Sequence, residues 1–100
     1  YKFCSTASIM ASFYEMLNVS SNWLIKKGVN KNIANDYIAE LFLSLSQDAV
    51  NKRSQGFKKL VADSQTPNGL NMRVLKELQK EKFYSKFIKA LENINKRINK

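Results

Sequence analysis

An all-α fold of about five helices is what this 100-residue sequence predicts, on three observations. Apolar residues recur at steps of three and four along most of the chain, which is the period of a helix face and not the alternation of a strand. Only one proline and three glycines occur, too little punctuation for an all-β fold with its many turns. Those breakers also fall between the periodic stretches and leave them intact.

The first helix is predicted from about Ser5 to Lys27, where Ile9, Met10, Phe13, Tyr14, Leu17, Trp23 and Leu24 make the apolar stripe. Gly28 ends it, because glycine adopts the left-handed backbone of a C-terminal cap. After the Val29 to Asn30 link, Asn30 is placed to cap the second helix through its side-chain oxygen. That helix carries Ile33, Ala34, Tyr37, Ile38, Leu41, Phe42, Leu45 and Ala49 on an arc widened by Leu43, and is expected to be the most buried element. Ser54, Gln55 and Gly56 break the pattern, and a short third helix with Phe57, Leu60 and Val61 stops before Pro67.

Thr66-Pro67-Asn68-Gly69 is the strongest turn signal in the chain, since proline fixes φ while asparagine and glycine tolerate a left-handed backbone. The fourth helix then turns Leu70, Val74, Leu75 and Leu78 inward and Arg73, Lys76, Glu77 and Lys80 outward. The last, about Lys82 to Ile98, is expected to bury Tyr84, Phe87, Ile88, Leu91, Ile94 and Ile98. Lys82, Lys86, Lys89, Lys96 and Lys100 occupy its other side at helical spacing.

Length and composition narrow the function. One hundred residues make one domain, residues 1–100, and cannot hold a dinucleotide fold together with a substrate domain. Seventeen Lys and Arg against eight Asp and Glu give +9. All of the surplus falls in residues 51–100, because Lys2, Lys26, Lys27 and Lys31 are balanced by Glu15, Asp36, Glu40 and Asp48. A basic half suits an anionic partner if its charges share a face. Lysine nonetheless outnumbers arginine 14 to 3, and lysine lacks the planar fork used in base recognition. The lysines therefore read first as the solvated side of an amphipathic helix, and neither nucleic acid nor a membrane is an expected partner.

The chain has no histidine, so acid and base work would fall to carboxylates, lysine, tyrosine or the one cysteine. The acids are scattered: Glu77 and Glu81 sit among Lys76, Lys80 and Lys82, and Asp36 and Glu40 lie on an exposed face. Cys4 has no second cysteine for a disulfide and no histidine for a zinc site, and reads as a small buried hydrophobe in a reduced, cytoplasmic setting. Tyr14, Tyr37 and the other aromatic residues read as core. Gly28, Gly56 and Gly69 lie too far apart for a phosphate-binding loop, so no cofactor or metal site is expected in this chain. No membrane span or signal peptide is visible, and a start at Tyr1 and not Met suggests further chain upstream.

Residues 64–71 place the Thr66 hydroxyl, the Asn71 amide and backbone N–H groups at a helix start, where anionic ligand groups are favoured. On chemistry alone this is either a capping turn or the edge of a ligand site.

At this turn the sequence resembles the C-terminal dimerisation domain of pyrroline-5-carboxylate reductase, an interlocked all-α domain of the 6-phosphogluconate dehydrogenase C-terminal-like kind. The family carries a Ser/Thr-Pro-Gly-Gly turn, and Thr66-Pro67-Asn68-Gly69 is similar to it with Asn68 in place of the first glycine. Leu70-Asn71 running into Met72 to Leu78 continues the likeness, and Gly28-Val29 resembles the family's link between its first two long helices. The resemblance implies a homodimer, an upstream Rossmann domain that binds NAD(P), and imine reduction by hydride transfer in proline biosynthesis. It implies a small-molecule substrate near this turn and near a Ser-Gly-Ser-Gly-Pro segment, with which Thr6-Ala7-Ser8-Ile9-Met10 aligns. Thr66, Asn71 and Ser8 are the substrate-binding residues it implies; catalytic residues stay unassigned, and the chain alone is expected to be inactive. The other readings are a non-catalytic basic module for nucleic acid or an acidic partner, and a structural dimeriser.

Overall fold

The computed structural model describes the backbone of residues 2–98 and the side chains of residues 8–97. Among them lie five α-helices and no strand: α1 (Lys2–Lys26), α2 (Lys31–Asn51), α3 (Phe57–Asp63), α4 (Leu70–Lys80) and α5 (Phe83–Ile98). A single 3-10 turn, Arg53–Gln55, separates α2 from α3. The all-α architecture follows the sequence period. The expected burial of Cys4 and Ile98, the outward placement of Lys100 and the side chains of Thr6 and Ala7 lie outside the described residues.

Local chemistry sets the helix ends. Gly28 takes φ 102 and its N–H donates to the Ile25 carbonyl at 3.0 Å, while the Val29 N–H reaches the Leu24 carbonyl at 3.1 Å, closing α1 with a left-handed cap. The Asn30 side chain accepts from the backbone N–H groups of Asn32 at 2.9 Å and Ile33 at 3.4 Å, and so starts α2.

Lys82 departs from the expected pattern. It takes φ 60, its N–H donates to the Gln79 carbonyl at 3.0 Å, and its carbonyl accepts from the Lys86 N–H at 2.9 Å. One left-handed residue thereby ends α4 and opens α5, so α5 begins at Phe83 and not at Lys82. A side chain in this conformation is strained, and a glycine is not. Lys82→Gly is expected to stabilise the chain by about 0.5 to 1 kcal/mol, read as a higher Tm; a lower Tm would refute it.

The chain divides into two compact units, Ile9–Ser54 and Tyr1–Ser8 with Gln55–Lys100. In the first, the Phe13 and Phe42 rings meet edge to face at 6.0 Å, and the buried Ser21 Oγ donates to Asn35 Oδ1 at 2.5 Å. These pairs step in opposite directions along the chain, so α1 and α2 run antiparallel about the Gly28 turn. In the second unit α4 lies beside α5. Met72, Leu75 and Leu78 on α4 and Phe87 and Leu91 on α5 are half-buried there.

Burial falls short of what the stripes predict. Ala34 and Ile38 are the buried apolar side chains among the described residues; both lie on α2, yet Ile33, Tyr37, Leu43 and Leu45 on the same arc are exposed. Of the aromatic residues expected in the core, Phe42 and Phe87 are half-buried, while Tyr14 and Tyr37 at 58% and Trp23 at 60% are exposed. Leu70, expected inward, is 80% exposed and Val74 is exposed beside it. On α5 the same correction holds for Tyr84, Ile88 and Ile94. The reason is geometric: an amphipathic helix buries its stripe only against a facing surface, and one neighbour covers less arc than these stripes occupy. The acids Asp36, Glu40, Glu77 and Glu81 do keep to exposed helix faces.

Candidate functional site

Two features stand out, one in each unit. The first is a shallow, mostly apolar groove on the α1–α2 hairpin, lined by Val19, Ser20, Trp23, Leu24, Tyr37 and Ile38. The Gly28 turn brings α2 back along α1 and sets the Trp23 and Tyr37 rings on the groove, where both remain more than half exposed. The Lys27 ammonium lies 5.8 Å from the Trp23 ring centroid, a cation–π distance. Apolar surface held in water costs about 25 cal/mol per Å², so a contiguous exposed patch of this kind marks a surface that another body covers. Tryptophan and tyrosine are also the side chains that most often anchor such contacts.

Ser21 and Asn35, placed symmetrically about Gly28, fix the hairpin register beneath this groove. Sequence reasoning missed the pair. Its signal was present as two polar residues equally far from a predicted turn.

The second feature is the turn before α4. The Gly69 N–H donates to the Thr66 carbonyl at 2.7 Å, and Asn68 takes φ 62. This is a type II turn, which needs positive φ at its third residue, and asparagine supplies it where glycine would otherwise be used. Gly69 itself has φ -74 and is needed for space. A Cβ there would overlap Thr66 Oγ1 and come within 2.9 Å of the Thr66 carbonyl oxygen.

Asn71 Nδ2 donates to the Ser64 carbonyl at 3.1 Å, strapping the start of α4 to the end of α3. Ser64 Oγ and Gln65 Nε2 donate to the Val61 carbonyl at 2.8 and 3.0 Å and hold the other side of the turn. Neither of these was singled out from the sequence, because their role depends on where the α3 carbonyls end. No side chain caps α4, so its first-turn N–H groups keep the anion-binding character that such groups have.

The turn therefore brings Thr66 and Asn71 together at the helix start, with Asn71 already engaged through its amide. Ser8, half-buried on α1, belongs to the same compact unit. The glycines serve separate turns: Gly28 after α1, Gly56 before α3 and Gly69 before α4. They assemble no dinucleotide phosphate loop, which needs its glycines within one strand-to-helix turn. Among the described residues no group of three or more His, Cys, Asp and Glu could hold a metal ion. Among the same residues no helix is long and apolar enough to cross a membrane.

Comparison with curated proteins and with solved structures gave no match to either. A family model described as pyrroline-5-carboxylate reductase dimerisation matches residues 4–100, and this helical chain with its uncovered apolar faces belongs to that family of dimerisation domains.

Proposed function

We propose that this chain is the dimerisation and substrate-side domain of a pyrroline-5-carboxylate reductase-like enzyme, a cytoplasmic homodimer that reduces a cyclic imine by hydride transfer in proline biosynthesis. The match over residues 4–100 carries the reading. The exposed Trp23, Tyr37, Leu43 and Leu70 support its dimeric part, since an obligate dimer leaves just such faces bare on one copy.

The nicotinamide cofactor, NAD or NADP, would be held by an upstream Rossmann domain, as the resemblance to the reductase family implies. When bound, it would supply the hydride. The residues here bind and orient: the first-turn N–H groups of α4 and the Thr66 hydroxyl suit a substrate carboxylate. Asn71 shapes that edge by tying α4 to Ser64. Ser8 adds a hydroxyl from α1. By itself the chain is dimeric and catalytically silent.

Solution mass by size-exclusion chromatography with light scattering, taken across a dilution series, tests the dimer. A dimer is expected to persist at low micromolar concentration, and a folded monomer there overturns the reading. The catalytic part is tested by fusing this chain behind the Rossmann half of a family enzyme and following imine-dependent oxidation of NADPH. The second reading, a structural dimeriser, is favoured by one observation: Ala7, Ile9 and Met10 stand where the resembling segment has glycine, glycine and proline. Glycine permits a close backbone approach to ligand that Ile9 obstructs. A fusion that dimerises without turnover selects that reading.

A further inference from the structure

The turn before α4 holds Asn68, the one asparagine of this chain that precedes a glycine. An asparagine so placed can lose its side-chain amide without an enzyme. The backbone nitrogen of the following residue attacks the side-chain carbonyl carbon; a nitrogen–carbon bond forms there, and the side-chain nitrogen leaves as ammonia. Water then opens the resulting five-membered imide at either carbonyl. One opening gives aspartate, and the other gives isoaspartate, in which the chain runs through the side chain. A Cβ on the attacking residue obstructs this approach, and glycine has none.

Three observations bear on Asn68. It is exposed, so water reaches it. Gly69 offers it an attacking nitrogen with no side chain in the way. In the folded chain, however, that nitrogen is engaged: its N–H donates to the Thr66 carbonyl at 2.7 Å, at the short end for such a bond. Attack requires the nitrogen to give up this proton and to turn toward the Asn68 side chain, so the hydrogen bond must break first. Pro67 supports the closed form, because its ring fixes φ at the second residue of the turn.

We infer that Asn68 is a modification site of this chain, one of spontaneous deamidation, which the Thr66 to Gly69 hydrogen bond holds back while the turn is closed. The two products differ in effect. Aspartate keeps the backbone of the turn and sets a negative charge near the start of α4, where the helix dipole favours it. Isoaspartate lengthens the backbone path inside the turn by one atom and breaks the spacing on which its closure depends. This inference is independent of the reductase reading, since it uses only the atoms of the turn and water.

The test incubates the chain in mildly alkaline buffer, folded or in guanidinium chloride above its unfolding midpoint, and follows each asparagine by peptide mapping with mass spectrometry. Asn68 is expected to convert fastest of the asparagines in denaturant, and about tenfold more slowly in the folded chain, the factor that one hydrogen bond contributes. Pro67→Ala should raise the folded rate by about two- to fivefold and leave the denatured rate unchanged. Gly69→Ala should slow the reaction in denaturant, which identifies the attacking nitrogen. Circular dichroism checks that Pro67→Ala keeps its helices. If it does not fold, the parent chain warmed below its Tm takes its place, and its Asn68 rate should rise in step with hydrogen exchange at the Gly69 N–H. Equal rates at Asn68 in the folded and denatured chain overturn the proposal. So does an Asn68 that stays intact in denaturant while other asparagines convert.

Discussion

Trp23→Ala combined with Tyr37→Ala is expected to dissociate the self-associated chain at concentrations where the parent stays paired. Both rings lie on the α1–α2 groove and both are more than half exposed on one copy, so a partner that covers them gains most of their burial. Central aromatic anchors of this kind carry about 2 to 4 kcal/mol each when truncated, which corresponds to a rise in the dimer dissociation constant of about 30-fold or more per residue. The two substitutions share one groove and should not add fully. Light scattering across a dilution series reads the change directly. As a comparison, Ser46→Ala on the same helix, exposed and outside the groove, should leave the constant within about twofold. If the double variant dimerises like its parent, a second copy does not occupy this groove, and the exposed stripe around Leu43 and Leu45 becomes the next candidate.

Gly69→Ala is expected to destabilise the chain by a steric clash, although Gly69 itself has an ordinary φ of -74. The added carbon meets the Thr66 side-chain oxygen and, at 2.9 Å, the Thr66 carbonyl oxygen that closes the type II turn. The threonine rotamer can move away, whereas the backbone carbonyl cannot move without breaking its 2.7 Å hydrogen bond to Gly69. Overpacking of this sort costs about 1 to 3 kcal/mol, seen as a fall in Tm. Thr66→Ala in the same chain should recover part of the loss and not all of it, because only the first overlap disappears. Full recovery would place the strain entirely in the side chain, and no loss at all would show that the turn shifts freely. By contrast, Gly28→Ala meets no atom within 4 Å, and its cost comes only from the positive φ of 102.

The helices and their ends were legible in the sequence because they depend on short-range chemistry. Gly28, Asn30 and the Thr66 to Gly69 turn each act on backbone groups a few residues away, and each performs the expected local role. Lys82 was not legible, since nothing in a lysine signals a left-handed backbone; the close spacing of α4 and α5 imposes it. Asn71 was legible as a polar residue at a helix start. That its amide is committed to the Ser64 carbonyl depends on where α3 stops.

Amphipathic period therefore determined an all-α chain and its helix count, the cap and turn residues its helix ends, and the motifs at Thr66 to Asn71 and Gly28-Val29 a likeness that the family match over residues 4–100 then established. Tertiary structure decided which apolar residues are covered. Periodicity reports that a stripe exists and is silent on what lies opposite it, so Ile38 and Leu70 look alike in sequence and differ completely in exposure. A helix face is buried only when a second surface meets it, and for much of α1, α2, α4 and α5 one copy of the chain does not supply that surface.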